Sequence, residues 1–551
     1  MTSVTHSRYY WLWRCIVPLC LLYVLLGIHH GLWTPDEPRE AEIAREMWAM
    51  PSVIPALDGQ PFIEKPPLYY WTVAAAFHLV GHPSADAART VSALCGALTL
   101  LLVYLWGTRA QDERCGLIAA LMLASCAQFL HSTHWVLLDP LLMVFTTLAL
   151  WAAWEVLYAA GGARWRGLFY AGLTLALWTK GLIGPVLVLA GLLAVLLLER
   201  PSRWRALAPW SGALLMLGML ALLALAIGWQ GGVAALREWI WVNHVQRLVH
   251  PQGTGHEQPL PYYLWILPMT VLPWLLPLVR VLRPAFWRGR DPALSLARYA
   301  VLGSAAMVVV LSLSATKRET YLLPVLPPLM LGLAVTLAAW WSERETRTLP
   351  GAVGASPGWP VHLQLLLLVC YLLAAPIAGA FYRHGVDTVL GIWLALTLLC
   401  ALWLCRDLWR GRLHAALRAA LPAALLAAVA WLILLPHALD STKNMGAFLR
   451  AASALMPAGA PIYALNVDET LKGVAPFETE RAVIDWGAQP AASRGQPDWL
   501  LLQELDTGRR LQPPANYQLT LRRSFGPARA LSLWRRLGGV QPAFSRAPVS
   551  Q

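Results

Sequence analysis

Six short runs hold the charged and aromatic side chains that could do chemistry, and each borders an apolar stretch. The first is Trp33-Thr34-Pro35-Asp36-Glu37-Pro38-Arg39-Glu40-Ala41-Glu42, continuing to Met47, which predicts a short amphipathic helix on a membrane surface. Asp36 and Glu37 sit at its amino-terminal end, where the helix dipole favours carboxylates, so a capping pair and a reacting carboxylate are both open readings. The second run, Phe62 to Trp71, carries Glu64, Lys65, Tyr69 and Tyr70. Asp139 stands just before Pro140 at a span end, where a charge beside hydrocarbon needs a partner or water and is a functional candidate by default. Lys180, in Trp178-Thr179-Lys180-Gly181, is the lone charge between two apolar stretches, and snorkelling to the interface is its plain alternative.

The run from Asn243 to Glu257 places His244 and Arg247 three apart, on one face if helical. Its histidines could bind zinc, with Glu64 and His244 or His256 completing a site across loops, although the spacing is no recognised zinc signature. The last run, Leu313 to Pro324, puts Lys317 and Arg318 at an outward span end, opposite to where positive charge normally collects. Lys65, Arg247 and Lys317 thus form an outward basic set suited to an anionic lipid headgroup. The alternative pairs each of them with Glu64, Glu257 or Glu319.

The elements that must position these groups are membrane spans. Of 551 residues, 58% are hydrophobic and 13% charged, and stretches of 18 or more nearly uncharged residues recur, which excludes an ordinary water-soluble enzyme. About thirteen spans begin near Trp11, Val91, Cys115, Val136, Leu168, Leu182, Gly212, Leu264, Ala300, Leu322, Leu365, Leu390 and Ala416. The first reads as a retained signal anchor. The arginine-rich loops alternate with the loops that hold the six runs, so the positive-inside rule places the arginines in the cytoplasm and the candidate chemistry outside. That arrangement also accounts for a net charge of +13 without nucleic acid. The eight cysteines show no CxxC pair and read as small buried hydrophobes. Residues 1–435 are expected to form the transmembrane catalytic domain, with periplasmic loops 29–89 and 230–263. Residues 436–551 are expected to form a soluble periplasmic α/β domain, with β-like runs at Ile462 to Leu465, Ala482 to Trp486, Trp499 to Gln503, Tyr517 to Arg522 and Leu531 to Trp534.

Taken together, Asp36-Glu37, Glu-Lys-Pro-Pro-Leu-Tyr-Tyr-Trp from Glu64, Asp139, Trp-Thr-Lys-Gly at Lys180, Asn-His-x-x-Arg at His244, and Thr-Lys-x-x-x-Tyr-x-Leu-Pro at Lys317 and Tyr321 resemble the GT-C fold polyprenyl-phosphate-sugar glycosyltransferases. Their order is most similar to the lipid A 4-amino-4-deoxy-L-arabinose transferase family. The resemblance implies an α-helical polytopic protein of the bacterial inner membrane with its active site facing the periplasm. It implies transfer of 4-amino-4-deoxy-L-arabinose from undecaprenyl phosphate to lipid A, conferring resistance to cationic peptides such as polymyxin. Asp36 and Asp139 would be catalytic, and Lys65, Arg39, Arg247, Lys317, Tyr321, Tyr69 and Lys180 would bind substrate or lipid phosphate. Glu64 and His244 would hold a divalent metal, zinc, if one is used. Glu40 departs from the pattern, standing where the family often has tyrosine, which bears on sugar specificity more than on reaction type. Alternatives are a related GT-C mannosyl- or glycosyltransferase acting on protein or glycolipid, and a lipid-sugar flippase. A flippase would spread its charges through mid-membrane depths, whereas here they gather at one face.

Overall fold

Hydrocarbon gives a backbone N–H or C=O no partner, so an apolar chain crossing it must satisfy those groups internally, which helices do. The computed structural model describes residues 10–246, 257–288, 292–347, 359–383, 386–409, 413–489, 495–505, 513, 516–525 and 529–538. Helix occupies each of the thirteen predicted stretches. Among the described residues, however, only eight helices are long and apolar enough to cross a bilayer, or nine if the bent pair Glu113–Ala124 and Ala127–Thr133 is one span. The shortfall has local causes. Leu12–Leu25 and Ile183–Leu198 are short, Ala163–Lys180 carries Arg164, Arg166 and Lys180, and Tyr262–Thr270 is nine residues long. A further apolar helix, Leu68–Val80, lies in a segment expected to be loop.

The chain divides into two units: residues 1–30, 46–56 and 61–439, and residues 31–45, 57–60 and 440–551. In the first, the Asp139–Tyr158 helix is central, with 83% of its apolar window buried, against 17% for Trp204–Asn243. Trp106, Phe129, Trp154, Phe169 and Tyr299 belong to one continuous core. Small residues let its helices approach closely, as membrane helix pairs require. A Cβ on Gly116 would lie 2.3 Å from the Tyr104 carbonyl oxygen, and one on Gly172 would lie 2.8 Å from that of Phe145. Ser84 and Asp112 cap the helices they precede, accepting from the Ala87 and Cys115 amides at 3.2 and 2.7 Å.

The second unit carries a five-stranded sheet of β3 (Ile462–Leu465), β4 (Val483–Asp485), β5 (Trp499–Leu505), β6 (Tyr517–Ser524) and β7 (Arg529–Arg536), numbered after the short β1 (Ala56–Leu57) and β2 (Gln60–Pro61). The order is β4-β3-β5-β7-β6, with β3 parallel to β4 and β5, and β7 antiparallel to β5 and β6. All five predicted β-like runs are therefore strands of one mixed sheet, packed through Ile462, Leu501 and Leu533 against Phe448 and Leu449 of the Gly446–Leu455 helix and Leu471 and Val474 of the Glu469–Thr479 helix. Two pieces of the first predicted loop join this unit. Asp58 and Gly59 turn the β1–β2 hairpin with φ of 53° and 73°, and Asp58 accepts from the Val483 amide at 3.2 Å.

Gly116→Val should lower the thermal unfolding temperature of the detergent-purified protein by an amount equivalent to about 1–3 kcal/mol of overpacking. Gly218→Ala, at a position with nothing within 4 Å of the added carbon, should not. Equal melting of the two variants would refute the close helix contact.

Candidate active site

Asp139 opens its helix with Pro140 beside it, so its carboxylate lies at the positive end of the helix dipole. Lys180 closes the Ala163–Lys180 helix, at the negative end of that dipole. Gly181 ends this helix with φ 72° and ψ −154°, a conformation essentially restricted to glycine, which explains the Lys-Gly pair. Lys180 Nζ donates to Asp139 Oδ1 at 2.6 Å and sits 4.3 Å from the centroid of the Tyr321 ring. Asp139 is only 5% exposed. Three residues from separate motifs thus converge, and Lys180 is paired rather than snorkelling.

The neighbouring basic groups of this unit are arranged differently. Lys317 Nζ donates to the Gln258 carbonyl at 2.9 Å, where an isolated bridge joins Glu257 to Thr316. Lys317 is 4% exposed, and burial lowers its pKa. Tyr263 donates to the Arg318 carbonyl at 3.1 Å, fixing the same turn. Lys65 lies 3.8 Å from Glu64, the pairing that sequence left open. Tyr69 is fully buried on the Leu68–Val80 helix, with its ring 5.7 Å from that of Tyr70. Arg247 and His256 lie outside the described residues, and of His244 only the backbone, in the Glu238–Gln246 helix, is described. The zinc expectation finds no ligand set: among the described residues no group of three or more His, Cys, Asp or Glu is placed to hold a metal ion.

The second unit holds two of the candidate residues, Asp36 and Arg39. The Glu37–Ala49 helix is not a surface element, for Glu37, Glu40 and Glu42 are buried along with Ala41, Ile43 and Ala44. Asp36 precedes it and is 4% exposed. Arg39 serves this carboxylate cluster. It donates to Glu40 and Glu469 at 2.7 Å each and to Asp36 at 3.4 Å. Burial opposes its charge, but the Glu40 and Asp36 carboxylates outweigh that penalty and hold its pKa above the ordinary arginine value. Arg45 clamps Glu42 through two bonds of 2.6 and 2.7 Å. Glu37 accepts from the Trp33 amide at 2.7 Å, and its charge opposes the lowering that burial imposes on the Lys443 pKa.

Asp440 went unrecognised in the sequence, yet it accepts from the Gly31 amide at 2.9 Å and the Trp33 indole at 3.0 Å. Thr470 donates to the Pro35 carbonyl at 3.2 Å, and a Cβ on Gly473 would lie 2.5 Å from Pro38 backbone atoms. The Asp36 turn is therefore held by Asp440, Glu469, Thr470 and Gly473. Asp440 had one signal: it is the first ionisable carboxylate after the last long apolar stretch. Glu469 had none beyond a helix-start pattern with Asp468.

The family model for dolichyl-phosphate-mannose-protein mannosyltransferases matches residues 12–240. The undecaprenyl phosphate-alpha-4-amino-4-deoxy-L-arabinose arabinosyl transferase 2 of Sodalis glossinidius is 33% identical over 335 residues, which is 58% of this chain and 58% of that relative. The corresponding transferase of Pseudomonas paraeruginosa is 30% identical over 395 residues, 69% of each chain. The match thus spans less than two thirds of the Sodalis protein's length. The crystal structure of ArnT from Cupriavidus metallidurans bound to undecaprenyl phosphate superposes with a TM-score of 0.72 at 21% identity, covering 95% of this chain and 98% of that one, and so shares its fold. With the fold shared and 30% identity over 69% of each chain, the chain belongs to the family of undecaprenyl phosphate-aminoarabinose arabinosyl transferases.

Proposed function

We propose that this chain is a membrane glycosyltransferase that moves 4-amino-4-deoxy-L-arabinose from undecaprenyl phosphate to a lipid A phosphate, at the periplasmic face of a bacterial inner membrane. The relatives' names supply the sugar and its carrier. The observation that carries the reading is Asp36, a buried carboxylate fixed by its own arginine and by a turn tied to Asp440. Orientation follows from arginine placement under the positive-inside rule. A cationic sugar on lipid A lowers its negative charge, the physical basis of resistance to polymyxin and similar peptides.

In the reaction the sugar's anomeric carbon loses its bond to the carrier phosphate oxygen and gains one to an acceptor phosphate oxygen. The electron pair of the broken bond leaves with undecaprenyl phosphate. An acceptor phosphate is already ionised and needs no base, so Asp36 acts on the positive charge that develops on the sugar ring. With a hydroxyl acceptor the same carboxylate would serve as base. Arg39 is surrounded by carboxylates and is assigned here as the group that positions Asp36, in place of a phosphate ligand. Asp139, held by Lys180, orients the sugar or its amine. Lys65, Lys317 and Arg247, with Tyr69 and Tyr321, are assigned to binding the leaving phosphate. No step is assigned to a metal. The family model over residues 12–240 favours a second reading, a polyprenyl-phosphate-dependent transferase with a protein acceptor.

Mass spectrometry of lipid A from cells with and without the chain separates these readings. An aminopentose mass shift is expected with the wild type, reduced about 10²–10³-fold in Asp36→Asn. No shift with the wild type would remove lipid A as acceptor, and a full shift in Asp36→Asn would remove Asp36 from the mechanism.

Lys180→Met leaves Asp139 buried without its cation, at a cost of about 3–5 kcal/mol, whereas Lys180→Met with Asp139→Asn should recover part of that stability. Additive losses in thermal unfolding would contradict the pair. Because burial lowers the Lys317 pKa, its charge is lost at lower pH than that of an ordinary lysine. Lys317→Arg should therefore carry the alkaline limb of the kcat/KM profile to higher pH. An unmoved limb would exclude Lys317 from phosphate binding.

A further inference from the structure

A lateral groove of about 630 Å³ runs between the Ala163–Lys180 and Pro209–Arg237 helices, remote in sequence from every residue assigned to sugar transfer except Lys180 at the far end of the first helix. Glycine creates it. A Cβ on Gly212 would fall 1.8 Å from the Tyr170 ring, so only glycine there lets Tyr170 cross to the second helix and donate to the Leu207 carbonyl at 2.9 Å. Gly167, on the groove wall, has nothing within 4 Å of where its Cβ would be, which leaves the channel open. Thr174 and Leu215 continue the wall, and Arg166 and Ser211 line it as well.

The arginine-bearing end is rich in positive charge. Arg164 and Arg166 start one helix, and Arg203 and Arg205 precede the other; all four are exposed, and the carboxylates nearest in sequence, Glu155 and Glu199, pair with Arg109 and Arg298. Trp204 and Trp210 are exposed at the same ends, as aromatic residues are where a helix meets the headgroup layer. By the positive-inside rule this end lies at the cytoplasmic leaflet, whose anionic lipids attract such clusters. The volume lies within the range of small-molecule sites, and an apolar channel with a cationic mouth matches one molecule with a hydrocarbon chain and an anionic head.

We infer that this groove is a binding site for an acidic glycerophospholipid of the cytoplasmic leaflet, its chain along Gly167 and Thr174 and its phosphate at Arg166. The site is separate from the sugar-transfer reading and stands whether or not that reading holds.

Native mass spectrometry of the full-length protein in detergent, titrated with phosphatidylglycerol or phosphatidylcholine, tests it. The wild type should retain one phosphatidylglycerol more tightly than phosphatidylcholine. Arg166→Gln should weaken that preference about fivefold, the effect of one interfacial cation. Gly167→Phe should fill the channel and abolish the retained lipid of either kind. Should Gly167→Phe fold poorly, as judged by thermal unfolding without added lipid, Arg166→Gln alone decides the matter. Equal retention of the two lipids by the wild type, or an unchanged preference in Arg166→Gln, would overturn the proposal. So would a groove filled by a second copy of the chain, seen as a dimer that Gly167→Phe dissociates.

Discussion

A carboxylate at the edge of hydrocarbon is stable only beside a cation, and the Asp139–Lys180 pair satisfies that constraint at 2.6 Å. Each charge also complements the dipole of its own helix, so the helices carrying them must run antiparallel with their ends level. Gly181 makes that register possible by turning the chain directly after Lys180. Tyr321 then covers the ammonium with its ring. Removing Asp139 or Lys180 would leave the other's charge facing apolar surroundings, and removing Tyr321 would take the ring from beside the ammonium.

The Asp36 turn solves a related problem by other means. Four carboxylates within seven residues are buried there, and like charges at that density repel unless cations intervene. Arg39 and Arg45 supply them from within the same helix. Asp440 and Thr470 contribute through the backbone and indole donors and the carbonyl acceptor of residues 31–35, and Arg39 donates to the Asp36 carboxylate itself. Residues of the C-terminal α/β unit therefore hold the turn that carries the candidate carboxylate.

Much of the fold was legible because its physics is local. The five strands of the C-terminal sheet follow from alternation and from Pro/Gly punctuation, and the helices from apolar length. The number of full spans was less legible, because hydropathy cannot distinguish a crossing helix from two short ones, as at Glu113–Thr133, or from an apolar helix such as Leu68–Val80. The candidate residues stood out one at a time, since a charge beside hydrocarbon is conspicuous. Their partners did not. Asp440 lies 409 residues from Gly31 and Glu469 lies 430 from Arg39, and no spacing rule connects positions that only tertiary packing joins. The helix expected on the membrane surface near Asp36 is buried instead, with Glu40 and Glu42 paired to Arg39 and Arg45 of the same helix.

The central claim is a direct transfer from lipid carrier to lipid acceptor. The purified chain, reconstituted in vesicles with undecaprenyl-phosphate-aminoarabinose and lipid A, tests it by the ratio of undecaprenyl phosphate released to aminoarabinose gained by lipid A. A ratio of one to one, with no release when lipid A is omitted, is expected. Equal release without lipid A, or no gain by lipid A in its presence, would contradict it.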